Sequence, residues 1–259
     1  MMIPKIEVIN LHKSFGDKKV LQGVSFKVMP GESLVVLGGS GSGKSVLLKC
    51  ILGLIKPDMG AIKIDGENIL NLSESERMKV LQKLGMLFQG SALFDSLPTW
   101  KNVAFQLLYN YKLPALRART IARKKLESVG LGDEVLDLSP SELSGGMQKR
   151  VGLARAIATD PEILFFDEPT TGLDPVMCGT IDNLIKKSVT DLGATTITIT
   201  HDIESAKFIA DKMTMLKDGK LIWTGKASQL MACKNKYVQE FVNGHKHIRP
   251  IVKRKLRSA

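Results

Sequence analysis

The stretch that most restricts how this chain can fold is GGSGSGKS, residues 38–45, which follows the apolar run 33–37. It matches the pattern G-x-x-x-x-G-K-[ST], and the next residues place four apolar side chains on one helical face, namely Leu47, Leu48, Ile51 and Leu52. A strand, a glycine-rich turn and a helix in this order present backbone N–H groups to a phosphate. A flexible Gly/Ser turn, the alternative reading, does not require either flank. The stretch therefore predicts a phosphate-binding loop in an α/β fold.

Two side chains of this loop carry the predicted chemistry. The ammonium of Lys44 is expected to reach the β and γ phosphate oxygens of ATP, and the hydroxyl of Ser45 is expected to bind Mg²⁺. The predicted nucleotide-binding residues of the loop are Gly38, Gly39, Ser40, Gly41, Ser42, Gly43, Lys44, Ser45 and Val46.

A second anion site is predicted far along the chain, in LSGGM, residues 143–147. Ser144, Gly145 and Gly146 precede a stretch with helical periodicity, so free backbone N–H groups lie at a helix N-terminus, where anions bind. The sequence therefore contains two phosphate-binding elements, and a single nucleotide bound by one loop does not explain the second.

The segment ILFFDE, residues 163–168, places two acids at the end of an apolar strand. A parallel sheet presents its ligands at the carboxyl ends of its strands. Asp167 is expected to hold Mg²⁺, largely through water, and Glu168 to orient and deprotonate a water that attacks the γ-phosphate. The alternative is a pair of acids that cap a following helix.

The distribution of apolar runs predicts the fold. Runs bounded by turn residues predict an N-terminal antiparallel sheet at 6–9, 24–28 and 61–64 and a late hairpin at 212–216 and 220–224. Continuous apolar or β-prone runs predict a mainly parallel, wound core sheet at 33–37, 85–88, 163–166 and 195–200. A helical subdomain at about 90–159 is inserted into this α/β core, so we predict one domain over 1–240 and a basic tail over 241–259.

Composition narrows the cellular setting. The net charge of +11 is typical of a protein that lies beside a polyanion, either nucleic acid or a membrane face. The three cysteines are scattered, which fits a reducing compartment and argues against a zinc site. No secretion signal and no apolar run long enough to span a bilayer is visible, so a role at a membrane would need another subunit to cross it.

Five motifs in order, GGSGSGKS, LSGGM, ILFFDEP, TGLDP and THD, resemble the nucleotide-binding subunit of ABC transporters, and the resemblance covers about residues 6–229. It implies a RecA-like P-loop ATPase fold and a homodimer that binds two ATP molecules at its interface. In such a dimer Ser144 and Gly146 of one subunit contact the ATP held by the other. This implication supplies a use for the second phosphate-binding element.

The resemblance also implies roles for single residues. Gln89 matches the glutamine that contacts Mg²⁺ or water and links the site to the helical subdomain. Asp174 matches the loop that crosses the dimer interface, and His201 matches the histidine that contacts the γ-phosphate. Phe15 stands where the family commonly has an aromatic residue stacked on adenine, although a core or hairpin phenylalanine is an open alternative. Met147 departs from the family pattern, which has glutamine there; the serine and glycines are intact, so we expect activity to survive.

Residues 90–107 and PSELSGGMQKR resemble most closely the Mla/Mkl group of ABC ATPases, which serve MCE-type lipid transporters. This implies multi-span permease subunits, an MCE-type lipid-binding protein, and a peripheral position on the cytoplasmic face of a bacterial inner membrane. Alternatives are ATPases of another permease, for lipoprotein release, cell division or small solutes. A soluble ABC ATPase acting on nucleic acid or ribosomes is disfavoured, because the chain has one cassette and no long coiled coil between Lys44 and Ser144.

Overall fold

A computed structural model describes residues 2–246, with residues 245 and 246 described by their backbone alone. The described strands are β1 (Ile6–Phe15), β2 (Lys18–Val28), β3 (Ser33–Leu37), β4 (Met59–Ile64), β5 (Glu67–Asn68), β6 (Leu84–Leu87), β7 (Ile163–Asp167), β8 (Thr195–Thr200), β9 (Lys212–Lys217) and β10 (Lys220–Lys226). The described helices are α1 (Lys44–Ile51), α2 (Glu74–Gln82), α3 (Thr99–Val103), α4 (Phe105–Tyr109), α5 (Ala115–Ser128), α6 (Gly145–Ala156), α7 (Pro175–Leu192), α8 (Ile203–Ile209) and α9 (Lys236–Lys246).

The core of the fold is a six-stranded sheet in the order β10-β9-β3-β8-β7-β6. All neighbours pair in parallel except β10 with β9, which form the predicted hairpin. Every residue of β3 and β8 is buried, because helices cover both faces of a wound parallel sheet. The mainly parallel α/β sheet predicted from the apolar runs is confirmed.

A second, antiparallel sheet in the order β2-β1-β4-β5 packs over α1. Its core joins the inner faces of β1 and β2 to the apolar face of α1 and to Phe165 of the parallel sheet. β1 and β2 are longer than the apolar runs at 6–9 and 24–28, because their pairing continues through bulges into polar residues up to Phe15. Asn10 lies at one such irregularity with a φ of 45°. Bulged polar strand ends carry no alternating apolar pattern, so the sequence shows only half of each strand.

Between β6 and β7 the chain forms α3 to α6, the predicted helical insertion. Its apolar residues, among them Val103, Ala122 and Leu126, share a core cluster with α6 and α7. The insertion is therefore packed onto the parallel sheet through α6. This position makes α6 the element that joins the two parts of the fold.

The C-terminal helix α9 crosses the predicted division after residue 240. Val238 and Val242 are buried in the core cluster on either side of it. Most of the predicted basic tail, residues 247–259, lies outside the described residues. Within residues 2–246, none of the helices combines the length and the apolar character that crossing a bilayer requires.

The contact between β6 and α6 generates a test of the packing. A Cβ on Gly85 would lie 2.1 Å from the Ala156 carbonyl oxygen and 2.7 Å from Leu164 Cδ2. We expect Gly85→Ala to lower the free energy of unfolding by about 1–3 kcal/mol, because overpacking forces these neighbours apart. Urea denaturation measures this.

The matched control is Gly179→Ala in α7, where a Cβ meets nothing within 4 Å. It should raise the free energy of unfolding by about 0.5–1 kcal/mol, because alanine loses less backbone entropy in a helix. Equal effects of the two substitutions would contradict the close packing of α6 on β6.

Candidate functional site

The glycine-rich loop lies between β3 and α1, and its backbone turns around the side chain of Lys44. Gly43 has a φ of 106°, and a Cβ there would lie 2.9 Å from the Val20 carbonyl oxygen, so only glycine fits. Lys44 is 7% exposed, and its ammonium donates hydrogen bonds to the carbonyl oxygens of Gly38 at 2.8 Å and Gly39 at 3.1 Å. The loop therefore holds one buried positive charge at the N-terminus of a helix, which is an arrangement that attracts phosphate.

Glu168 follows β7 and faces this loop. Its φ of 47° lies in the left-handed region, which costs a non-glycine residue about 1–2 kcal/mol. The Oε2 atom lies 2.8 Å from His201 Nδ1, and the Oε1 atom lies 3.6 Å from Lys44 Nζ. The Thr171 hydroxyl donates a further hydrogen bond of 3.1 Å to Oε2. A strained backbone held by a network of this kind is typical of a functional position.

Asp167, one residue earlier, has a buried carboxylate oxygen with no partner. Its Oδ1 makes no hydrogen bond with any described residue. Burial raises the pKa of this carboxyl, as does the neighbouring Glu168 charge, and the attraction of Lys44, Lys49 and Lys149 lowers it. An oxygen that is buried and unsatisfied is costly unless a cation or donor reaches it. Asp167 therefore fits a hard cation such as Mg²⁺, which prefers oxygen ligands.

Lys44, Glu168 and His201 line one cleft of about 420 Å³, whereas Asp167, one residue before Glu168, is not among its lining residues. Its lining consists of Gly39, Ser40, Gly41, Lys44, Ser45, Gln89, Glu168, His201 and Phe241. The structure thus brings residues from the ends of β3, β6, β7 and β8 to one place. Phe241 on α9 was not predicted from the sequence, because an apolar residue on a C-terminal helix carries no motif that separates it from a core residue.

Phe15, Ser144, Gly145, Gly146 and Asp174 do not line this cleft among the described residues. Phe15 ends β1, and its ring is half exposed, with the Lys13 ammonium 5.4 Å from the ring centroid. This exposure excludes the core alternative and leaves a hairpin phenylalanine with an accessible face. Such a face is available to stack on a base.

The second anion element is an exposed helix N-terminus. Ser144 caps α6, and its hydroxyl accepts a 3.3 Å hydrogen bond from the Met147 backbone N–H. Asp174 caps α7 in the same way, accepting bonds of 2.9 Å and 3.0 Å from the N–H groups of Val176 and Met177. The two caps are neighbours, because a Cβ on Gly146 would lie 2.4 Å from Met177 Cε. They form one surface that is separate from the cleft of the same chain.

The departure at residue 147 has a local structural basis. Met147 is half buried and packs against the apolar core. The next residue, Gln148, supplies an amide that donates to the carbonyl oxygens of Pro140 at 2.9 Å and Leu143 at 3.2 Å. The loop before α6 is therefore held in place without a glutamine at 147.

Comparison with known proteins places these features in context. Residues 21–171 match the family model described as ABC transporter. The chain is 42% identical over 239 residues to the intermembrane phospholipid transport system ATP-binding protein MlaF of Haemophilus influenzae, covering 92% of this chain and 90% of that one. It is 40% identical to the probable ribonucleotide transport ATP-binding protein mkl of Mycobacterium leprae, covering 93% and 69%. A solved dimer of the ATP-binding cassette MJ0796 with ADP and phosphate superimposes with a TM-score of 0.79 at 33% identity, covering 86% of this chain and 98% of that one.

The buried carboxyl of Asp167 generates a test of stability against pH. The pKa of Asp167 is raised in the folded chain, so the folded state binds more protons than the unfolded state. The free energy of unfolding therefore falls as pH rises from the ordinary aspartate pKa of about 4 through the raised pKa of the folded chain. We expect Asp167→Asn to raise the melting temperature of the nucleotide-free chain at pH 7.5, and the gain to shrink as pH falls toward the ordinary aspartate value of about 4.

Thermal melting between pH 5 and 7.5 measures the effect. The control is Asp191→Asn, which removes an exposed carboxylate of α7. A gain that is equal for both variants, or that does not depend on pH, would contradict a destabilising charge at Asp167.

Proposed function

The chain belongs to the ABC transporter family, and we propose that it hydrolyses ATP to drive phospholipid movement through separate membrane subunits. The observation that carries the proposal is the convergence of Lys44, Glu168 and His201 on the cleft beside the glycine-rich loop. A buried cation, a candidate general base and its hydrogen-bonded partner are the groups that phosphoryl transfer to water requires.

Each group of the cleft has a part in hydrolysis. We assign the phosphate oxygens to Lys44 and to the N–H groups of residues 39–45, where the loop and the start of α1 present positive charge. Glu168 orients and deprotonates the attacking water, and His201 holds the Glu168 carboxylate through a 2.8 Å contact and reaches the γ-phosphate. Ser45, Gln89 and Asp167 would hold Mg²⁺, which neutralises phosphate charge when bound.

The exposed N-terminal caps of α6 and α7 supply further groups for nucleotide binding in a dimer. Ser144, Gly145 and Gly146 offer free N–H groups to an anion, and the cleft of the same chain does not include them. We assign them to the nucleotide bound by a second copy, with Asp174 beside the interface. The dimeric form of the similar cassette MJ0796 supports this assignment. Two nucleotides then lie between the two copies.

The loop that follows β6 and contains Gln89, here the Gln89 loop, lies beside a groove that is a suitable site for the membrane subunit. The groove has a volume of about 520 Å³ and is mostly apolar, with Leu54, Met78, Phe94 and Tyr111 among its exposed lining residues. Exposed apolar side chains gathered in one groove support a binding site for a partner. We assign it to an amphipathic cytoplasmic helix of a multi-span permease, which would hold this chain on the inner face of the membrane.

The cargo is proposed from the relatives. The Haemophilus influenzae relative is an ATP-binding protein of intermembrane phospholipid transport, and this supports a phospholipid cargo and an MCE-type lipid-binding partner. The name of the Mycobacterium leprae relative favours a second candidate, ribonucleotide transport. Purification of the tagged chain from its native membranes in mild detergent separates them. A permease, an MCE-type protein and bound phospholipid would support the first; a permease without lipid, transporting ribonucleotides, would support the second.

The role of Glu168 is tested by Glu168→Gln. The glutamine amide keeps the shape but cannot accept the proton, so we expect kcat to fall at least about 100-fold while ATP binding persists. The variant should accumulate as an ATP-bound dimer, which size-exclusion chromatography with light scattering detects.

Lys44→Ala is the matched comparison. It removes the buried cation of the loop, so ATP affinity itself should fall and no dimer should form. Hydrolysis at the normal rate by Glu168→Gln, or unchanged ATP affinity of Lys44→Ala, would contradict the assigned roles.

The assignment of the groove is tested by Leu54→Asp. Leu54 is 64% exposed, so the substitution should leave folding and the ATPase activity of the isolated chain intact. Recovery of the permease in the detergent purification should be lost, because a charge would have to be buried in the contact.

The control is Leu116→Asp, which places the same charge on a leucine that is 81% exposed and lies outside the groove. Equal recovery of the permease with both variants would exclude the groove as the contact.

A further inference from the structure

Two cations of α6 hold the loop that follows β6. The ammonium of Lys149 donates a hydrogen bond to the Gln89 carbonyl oxygen. The guanidinium of Arg155 donates bonds of 2.6 Å and 2.7 Å to the carbonyl oxygens of Ser91 and Ala92. Lys149 and Arg155 lie six residues apart and share one face of the helix with Gly152. The contact therefore runs along nearly two turns of α6.

α6 packs closely against the end of β6 and the loop that follows it. A Cβ on Gly152 would lie 2.8 Å from Leu87 Cδ1 and 3.3 Å from Ser91 Cβ. The loop itself adopts left-handed backbone angles at two residues other than glycine, with φ of 61° at Ser91 and 48° at Ala92. Such a conformation persists only where the surroundings impose it. The cations of α6 supply that restraint, because Lys149 binds the carbonyl oxygen of Gln89 before the strained turn and Arg155 binds those of Ser91 and Ala92 within it.

Lys149 is unusual for a lysine in its burial. Lys149 is 5% exposed, and it forms no ion pair with a carboxylate among the described residues. Burial lowers the pKa of its ammonium, while the charges of Asp167 and Glu168 raise it. A buried cation is costly unless its hydrogen bonds are made. The bond to Gln89 is therefore the contact that compensates for burying this charge.

We infer that Lys149 is a positioning residue that fixes Gln89 to the helix beginning at Ser144, and so couples the nucleotide site of its own chain to the surface that contacts the nucleotide of a second copy. This inference rests on the proposed function. The N-terminus of α6 contacts a nucleotide only if Ser144 and Gly146 bind the nucleotide held by a second copy. A shift of α6 on dimer closure then moves the Gln89 carbonyl in the same step. The two nucleotide sites of the dimer thereby become cooperative.

The first measurement is made without nucleotide, on the full chain. Hydrogen exchange of the amides in residues 86–94 is compared between the unmodified protein and Lys149→Met. We expect exchange to rise at least about tenfold in this loop, because its restraint is removed, and to stay unchanged in the rest of the parallel sheet. Lys124→Met, at an exposed position of α5, is the control and should not alter exchange in the loop.

The second measurement is ATP hydrolysis against ATP concentration. With Lys149→Met, kcat should fall at least about tenfold while KM changes less than about twofold, because positioning is lost and binding is kept. The Hill coefficient should fall toward one. Lys149→Arg, which keeps a buried cation with N–H donors, should restore both. Lys149→Ala is measured in parallel, because it removes the N–H donor without placing the apolar side chain of methionine at this buried position.

The outcomes separate this inference from the proposed function. Unchanged loop exchange in Lys149→Met, or an arginine variant no better than the methionine variant, overturns the positioning role. Collapse of both Lys149→Met and Lys149→Ala in thermal melting also overturns it, because the lysine would then serve stability alone. Failure of Glu168→Gln to form an ATP-bound dimer, with the loop exchange as expected, would overturn the two-copy function and leave the contact of Lys149 with Gln89 standing.

Discussion

The contact of the Glu168 carboxylate with Lys44 and His201 depends on the order of three neighbouring strands. β3, β8 and β7 lie side by side, and each ends at the same edge of the sheet, in Lys44's loop, His201 and Glu168 respectively. Parallel pairing is what brings these three ends together, because antiparallel neighbours would send alternate ends to opposite edges. The buried threonines and isoleucines of β8 thus contribute to catalysis by holding this register.

The same edge explains why charges are tolerated in a buried cleft. Lys44 is satisfied by loop carbonyls and faces Glu168, and Glu168 is held by His201 and Thr171. Among the described residues at this edge, Asp167 Oδ1 and Ser42 Oγ are buried without a hydrogen-bond partner, and Asp167 is the oxygen ligand that we propose for Mg²⁺. The nucleotide-free chain therefore bears an electrostatic cost at this position that binding of a cation would relieve.

α6 is restricted by contacts along much of its length. One face packs on β6 so closely that Gly85 and Gly152 admit no side chain, its N-terminus is exposed, and its cations hold the Gln89 loop. If a membrane subunit binds the apolar groove as we propose, these attachments would carry a displacement of the groove through the Gln89 loop and α6 together.

The sequence by itself determined the local elements whose chemistry is continuous along the chain: β3 with its glycine-rich loop, the strand before Asp167 and Glu168, and the exposed cap of α6. Motif order also predicted the family and the α/β fold, both of which are confirmed. The sequence did not reveal the bulged continuations of β1 and β2, because polar strand ends lack a periodic pattern. Contacts between distant residues, such as Lys149 with Gln89 and Phe241 with the cleft, were decided only by the tertiary structure. Helix packing and strand order set these distances, and neither is encoded in any short stretch of residues.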